Sequence, residues 1–268
     1  MFNRGFFDKR RGSSPSLLSF AFLALCTVVT VLSAFPAQAG EWRVYPIRLT
    51  LERGARIGTL TVQNDGDTPM NFQVKAMEWS QDAEGKDLYA ETKELIFFPK
   101  LLMIPPHEER VIRLGLKGPA GGAKEKTYRL FVEEISPPRK DSNEGGATVA
   151  VNIRFAVPIF VPPAKEEPAG EMLKTWINNG IVSASLRNTG NVHFRIPSIL
   201  FRGKDFKGNE TFNQAVDGWY LLNGTTRSFS TRMSAEACKK TKLIEVEAAT
   251  DRKIVLKGSH TVDGNQCK

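Results

Sequence analysis

The stretch TVAVNIRFAVPIFV, residues 148–161, alternates apolar and other side chains with a period of two. The apolar members of the row are Val149, Val151, Ile153, Phe155, Val157 and Ile159. Successive side chains of a β-strand point to opposite faces of a sheet, so this period is typical of a strand with one apolar face. A strand of this length needs partners, and the rest of the chain should therefore contain strands that pair with it.

Short apolar runs separated by turn residues continue through both halves of the chain. In the first half we predict six more strands, with no convincing helical period, at 42–52, 57–62, 70–79, 95–104, 110–116 and 127–135. In the second half the runs are fainter, at 181–187, 192–196, 198–202, 219–222, 227–231, 243–248 and 253–256. Many short strands at turn spacing predict β-sandwiches.

One segment separates the two groups of strands. Residues 161–171, VPPAKEEPAGE, are rich in proline and charge and have no apolar period, which is typical of a linker. The length on either side suits domains of ordinary size. We therefore predict one sandwich over residues 40–163 and a second, smaller one over residues 164–268.

The first 39 residues have the features of an export signal. Basic residues between positions 4 and 11 precede an apolar run over 17–35, which is followed by the small-x-small site Ala37-Gln38-Ala39. This order predicts a cleaved secretory signal peptide over residues 1–39. A membrane anchor is the alternative, because the run is near the lower length limit for a span. The cleavage site favours export, with no stable membrane insertion of the mature chain.

Charge and histidine positions argue against several classes of function. Beyond residue 39 the chain has 33 basic and 28 acidic residues, a mild excess that singles out no nucleic acid partner. His107, His193 and His260 are scattered, and none stands in a nucleophile, metal or phosphate motif. The adjacent Glu133 and Glu134 face opposite sides of a strand and cannot act as a pair. We predict a protein that is not an enzyme and uses no metal or cofactor.

Two cysteines remain beyond residue 39, Cys238 and Cys267. In an exported chain an even count favours one disulfide over two free thiols. Closing this loop would contribute roughly 3–4 kcal/mol in the chain-entropy model.

Six stretches in order carry a resemblance to a known family. They are VYPIRL (44–49), LTVQN (60–64), FPKLLMIPPHEERVIR (98–113), KEKTYRLFVEEIS (124–136), VAVNIRFAVPIFVPP (149–163) and LRNTGNVHF (186–194). This set resembles the periplasmic PapD-like chaperones of the chaperone–usher pilus pathway. The resemblance implies an all-β fold in the periplasm, with two immunoglobulin-like β-sandwich domains joined by a short Pro-rich linker after the cleaved signal peptide.

The resemblance also implies a function. Chaperones of this family stabilise pilus subunits by lending them a β-strand, and deliver them to an outer-membrane usher. Alternate apolar side chains of the lent strand fill a groove in the incomplete subunit. On this alignment they are Val149, Val151, Ile153 and Phe155, and we expect them to face the subunit. Without the resemblance, the alternation alone favours burial in the protein's own core.

The family anchors the terminal carboxylate of the subunit with two basic residues between the domains. The first falls on Arg48, whose guanidinium can bind a carboxylate through two parallel hydrogen bonds. The second, a lysine in the family, falls on Pro158, which has no charge to offer. Arg154 and Arg113 are the candidates that replace it.

The ion cluster that joins the two domains in the family is also incomplete. Glu125 matches its glutamate, but Pro162 stands where its arginine would be. We therefore expect the domains to be held differently. The alternative function is an exported immunoglobulin-like binding protein with the chaperone fold and no pilus client.

Overall fold

The computed structural model describes residues 41–52, 54, 57–119, 121–135 and 152–267. The predicted signal peptide and the donor candidates Val149 and Val151 lie outside these ranges. Within them the protein consists almost entirely of β-strands, as predicted. No helix of the described ranges is long and apolar enough to cross a membrane, and no group of their histidine, cysteine or acidic side chains is arranged to hold a metal ion.

The first sandwich contains ten described strands in two facing sheets. They are β1 (Trp42–Tyr45), β2 (Leu49–Thr50), β3 (Ile57–Asn64), β4 (Met70–Gln81), β5 (Asp87–Glu91), β6 (Leu95–Phe98), β7 (Leu101–Ile104), β8 (Glu109–Leu116), β9 (Lys126–Glu134) and β10 (Arg154–Val161). One sheet has the order β1-β3-β8-β6. The other has the order β2-β10-β9-β4-β5, with β7 also paired to β4.

Alternate side chains of both sheets fill the first core. One sheet contributes Leu60 of β3 and Ile112 of β8 to this core, and the other sheet contributes Leu130 and Val132 of β9. The period of two that the sequence shows in these strands is confirmed, because it places one row of each strand inside the sandwich.

Two runs predicted as single strands each form two strands in different sheets. The run over 42–52 breaks at Pro46 into β1 and β2, and the run over 95–104 breaks at Pro99 into β6 and β7. The prediction of continuous strands was wrong here because proline lacks the N–H that would continue the ladder. At both points the chain crosses from one sheet to the other.

The second sandwich contains nine described strands around its own core. They are β11 (Gly170–Asn178), β12 (Ile181–Asn188), β13 (Phe194–Arg195), β14 (Ser198–Lys204), β15 (Glu210–Asp217), β16 (Tyr220–Leu221), β17 (Thr226–Arg232), β18 (Leu243–Ala249) and β19 (Val255–Thr261). The sheets have the orders β11-β12-β17, β13-β16 and β15-β14-β18-β19. Val182, Phe201 and Val246 lie in the core between them.

A disulfide closes the C-terminal part of the second sandwich. Cys238 lies in a short helix, α1 (Ala235–Lys240), and Cys267 in a 3₁₀ turn, Gly264–Cys267. Their side chains are bonded, with Cα atoms 5.7 Å apart, so the predicted disulfide is confirmed. The bond ties the end of the chain to α1.

Some elements were missing from the sequence-based prediction. β5 and β15 have mostly exposed side chains and little apolar alternation. β11 begins inside the segment predicted as a linker. α1 is six residues long, too short to show a helical period.

Candidate functional site

β10 is fully paired on one side only. From Arg154 to Val161 it is in antiparallel register with β9. On its other side, among the described strands, β2 pairs only with Ile159 and Phe160, and the N–H of Leu51 donates to the Phe160 carbonyl at 2.8 Å. With respect to the described strands, residues 154–158 therefore form an open strand edge, to which another strand can pair.

The odd-numbered side chains of β10 face into the sandwich. Val157 and Ile159 belong to the core, and Ile153, just before the strand, packs partly against it. Phe155 lies at the flank of the sandwich, 37% exposed, with its ring edge-on to Trp42 at 4.7 Å. In the free protein Ile153 contacts the protein's own core, because it has the same parity as the buried Val157. The contact of this row with a partner stays a prediction.

The even-numbered side chains of β10 lie on the outer face of the sheet. The guanidinium carbon of Arg154 is 3.9 Å from the centroid of the Phe131 ring, so this arginine lies over its own sheet. Pro158 is opposite Arg129 in register. Phe160 is buried in a small cluster with residues of the second sandwich.

Arg48 stands next to Pro158. Leu49 pairs with Ile159 in parallel, so the residues that precede them are also neighbours. The Arg48 side chain is 50% exposed, with Nη1 3.7 Å from Oδ2 of Asp251 in the second sandwich. Exposed pairs at such distances contribute little, so this guanidinium can donate hydrogen bonds to a carboxylate from outside.

Arg129 is a buried cation on the other side of Pro158. It is 6% exposed; its Nη1 donates to the Ala156 carbonyl at 2.9 Å, and its Cζ lies 3.8 Å from the centroid of the Trp79 ring. Its Nε and Nη2 are buried and find no acceptor in the part of the chain that the structure describes. Burial lowers the pKa of Arg129, but a guanidinium stays protonated in proteins. Within the described part of the protein, this buried cation therefore has two nitrogens whose N–H donors are unpaired.

Sequence reasoning missed Arg129 as a site residue. In TYRLFV, residues 127–132, it belongs to the outer row of β9, and a strand arginine of this kind is usually solvated. The available signal was its position opposite Pro158, where the family has lysine. That signal needs the register of β9 and β10, which the sequence alone does not give.

Arg113 lies on a different surface. Its two chain neighbours face the first core, so Arg113 points outward from the four-stranded sheet, opposite Phe98 in register. Of the three arginines predicted as anchors, Arg48 is the one beside Pro158. The structure brings neither Arg113 nor Arg154 to it.

Glu125 and His193 form a buried pair between the two sandwiches. Their side chains are 2% and 5% exposed. Oε2 of Glu125 accepts from the backbone N–H of His193 at 2.8 Å and lies 2.8 Å from its Nδ1. The imidazole stacks on Phe160 of β10, with ring centroids 3.6 Å apart. Glu125 is thus partnered by a histidine where the family pattern predicts an arginine.

Gln81 adds a second link between the sandwiches. Its Nε2 donates to the Tyr220 carbonyl at 3.0 Å, and its Oε1 accepts from the Leu222 N–H at 3.0 Å. Leu222 also packs in a small apolar cluster with Trp79 and Phe160. The contact between the domains is therefore built around β4 and the end of β10.

The first sandwich matches a known family. Residues 42–167 match the family described as pili and flagellar-assembly chaperone, PapD N-terminal domain. No curated protein matches the chain in sequence.

The fold is similar to solved structures from three bacteria. A chain of the CsuC–CsuE chaperone–tip adhesion subunit pre-assembly complex, from archaic chaperone–usher Csu pili of Acinetobacter baumannii, has a TM-score of 0.58 at 19% identity, over 81% of this chain and 98% of that one. A chain of the Salmonella enterica SafA pilin complex with the SafB chaperone has 0.51 at 14%, over 84% and 98%. The Pseudomonas aeruginosa CupB2 chaperone has 0.50 at 16%, over 82% and 100%.

At these identities the solved structures show the shared fold of two immunoglobulin-like sandwiches. The family is assigned by the chaperone domain matched over residues 42–167. The low identities, and Pro158 in the place of the family lysine, mark a distant relative. The first sandwich, residues 42–167, therefore belongs to the PapD-like family of pili and flagellar-assembly chaperones, as a divergent member.

Proposed function

We propose that the protein is a periplasmic chaperone that stabilises pilus subunits by donor-strand complementation and delivers them to an outer-membrane usher. The observation that carries this proposal is the open edge of β10 at residues 154–158, flanked by the apolar Ile153 and Phe155. Unpaired N–H and C=O groups of a strand edge are a template for another strand. Lending this edge supplies the strand that an incomplete subunit lacks.

Apolar side chains supply most of the favourable energy of the exchange. Burying Val149, Val151, Ile153 and Phe155 in a subunit would contribute about 1.5–3 kcal/mol each. Part of this is offset, because Phe155 must leave Trp42 and Ile153 its own core, and because association restricts both partners. The described donor side chains are partly covered in the free protein, which limits the apolar surface that the open edge displays.

In this proposal Arg48 and Arg129 form the carboxylate anchor, on either side of Pro158. Neighbouring strands lie about 4.8 Å apart, so the two arginine side chains can meet around one carboxylate above β10. The free Nε and Nη2 of Arg129 offer the donors that the family lysine would offer. Trp79 and Tyr220 lie against the Arg129 guanidinium, so the proposal requires these rings to shift when the subunit binds.

In this proposal the pair of Glu125 and His193 holds the two domains together beside the anchor. The imidazole stacks on Phe160, two residues after Pro158 on β10. The pair therefore ties the end of the donor strand to the second domain. A fixed end to β10 keeps its open edge and the anchor in register for a subunit.

Refolding of an incomplete subunit tests the proposal. Recombinant pilus subunits of the same organism are unfolded in guanidinium and diluted into a solution of the protein, and size-exclusion chromatography detects a complex. We expect a complex with the wild-type protein. Ile153→Asp should abolish it, because a charge would enter an apolar groove. Ile57→Asp, the same change at an exposed site of the other sheet, should form the complex normally.

Folding of the variants is checked separately, because Ile153 contacts the core. Circular dichroism and thermal unfolding identify an unfolded variant, and in that case the more exposed Phe155→Ser replaces Ile153→Asp. A folded wild-type protein that binds no subunit would overturn the proposal. That result would favour an exported binding protein with no pilus client.

A further inference from the structure

Trp42 closes the open flank of the first sandwich. β1 is the edge strand of the four-stranded sheet, and residues 154–158 are at the edge of the facing sheet. Trp42 points inward from β1 and is buried, with its ring centroid 4.7 Å from those of Phe72 and Phe155. At the level of Phe155, the contact of these two side chains bridges the edges of the two sheets.

The indole N–H of Trp42 is buried and has no hydrogen-bond acceptor among the residues that the structure describes. Buried polar groups in native proteins nearly always have a partner, and an unpaired one is unfavourable. Phenylalanine at position 42 would make both ring contacts without an unpaired donor. An acceptor supplied by a bound partner would satisfy this N–H.

Trp79 provides a contrast. Its Nε1 is also buried without an acceptor in the described ranges, but the Arg129 guanidinium lies over its ring. Tryptophan is the best aromatic partner for a cation. The choice of tryptophan at position 79 thus has an explanation in the free protein, whereas the choice at position 42 does not.

We propose that Trp42 is a contact residue for the bound subunit, and that its N–H donates to an oxygen of the strand that pairs with β10. This inference rests on the proposed function. When Phe155 enters the groove of the subunit it leaves Trp42, and the incoming strand runs along the flank that their contact closed. A backbone carbonyl or hydroxyl of that strand then accepts the N–H, and an apolar side chain takes the place of Phe155 on the ring.

Trp42→Phe tests this role, with Trp176→Phe in the second sandwich as the matched control. The change keeps an aromatic ring against Phe72 and removes the N–H. Unfolding by urea should show that the free Trp42→Phe protein is as stable as the wild type or more stable. Its dissociation constant for the refolded subunit should rise by about 5- to 100-fold, and that of Trp176→Phe should not change.

The outcomes separate this inference from the proposed function. Wild-type affinity in Trp42→Phe would refute the role of Trp42 and leave strand donation intact, as would losses of stability and affinity of the same size. Absence of binding by the wild type would refute both. If Trp42→Phe does not fold, the indole N–H signal of Trp42 is followed by NMR in the wild-type protein. A downfield shift on binding supports a new hydrogen bond, and an unchanged signal refutes it.

Discussion

Replacing His193 with alanine tests how the end of β10 is held to the second domain. In the free protein, Nδ1 of His193 lies 2.8 Å from Oε2 of Glu125, and its ring stacks on Phe160 at 3.6 Å. The substitution removes both contacts and keeps the bond from the backbone N–H of residue 193. It leaves the Glu125 carboxylate buried with one donor fewer.

The expected decrease in the free energy of unfolding follows from these contacts. Removing the side-chain hydrogen bond to the buried Glu125 carboxylate lowers the free energy of unfolding by about 1.5–3 kcal/mol, and losing an aromatic contact by about 0.5–1.5 kcal/mol. The retained backbone bond offsets part of the sum. We therefore expect His193→Ala to lower the free energy of unfolding by about 2–4 kcal/mol. Adding Glu125→Gln should restore part of the loss, because a buried amide is less unfavourable than an unpaired charge.

Urea unfolding followed by circular dichroism measures this effect. His260→Ala is the matched control, because His260 is only partly buried and contacts Gln266 within the second sandwich. A loss below about 1 kcal/mol, the usual size for a surface pair, or a loss equal to that of His260→Ala, would refute the reasoning. So would a double variant that is no more stable than His193→Ala alone.

Two further predictions concern Arg129 of β9 and Glu94, whose carboxylate accepts hydrogen bonds from two side chains of β9. Arg129→Met should weaken binding of a subunit with a free C-terminal carboxylate by about 10- to 150-fold, the equivalent of a charged hydrogen bond. It should leave binding of a C-terminally amidated subunit unchanged. Titration of both subunits measures the two effects, and an equal effect on both would contradict the anchor. Hydrogen bonds from Tyr128 and Lys126 lower the pKa of Glu94, so its carboxylate stabilises the fold above the unfolded pKa and loses this effect as pH falls through the folded pKa. Because Glu94 is half exposed, Glu94→Gln should be less stable than the wild type by less than about 1 kcal/mol at pH 7, with no difference at pH 3 by urea unfolding; a difference that persists in acid would contradict the assignment.

The strands with one buried row could be predicted from the sequence, and those without one could not. β3 and β8 could be predicted because one face of each lines a core. β5 and β15 lie at sheet edges with mostly exposed side chains, so no burial constrains their pattern. The breaks at Pro46 and Pro99 were visible as prolines, but the exchange of sheets that follows each break depends on tertiary packing.

The residues of the candidate site also differ in whether the sequence could identify them. Arg48 and the donor row could be proposed from the sequence because the resemblance assigns a role to each position of a strand. Arg129 and His193 could not, because in the proposed site each stands in for a residue that the family has at a different position. Their roles depend on which side chains of the neighbouring strand and domain cover them, and the sequence of one strand does not contain that information.

In the proposed anchor, Pro158 accounts for the position of the second cation on the neighbouring strand. The bond from Leu51 to the Phe160 carbonyl shows that the even-numbered backbone groups of β10 face its open side. Pro158 has no N–H on that side, so a strand that pairs from residue 154 must end its ladder there, where β2 begins. A lysine at this position would supply a charge, but its backbone N–H would let the ladder continue beyond residue 158. With proline the edge has a defined end, and the charge beside it comes from Arg129, directly across in register.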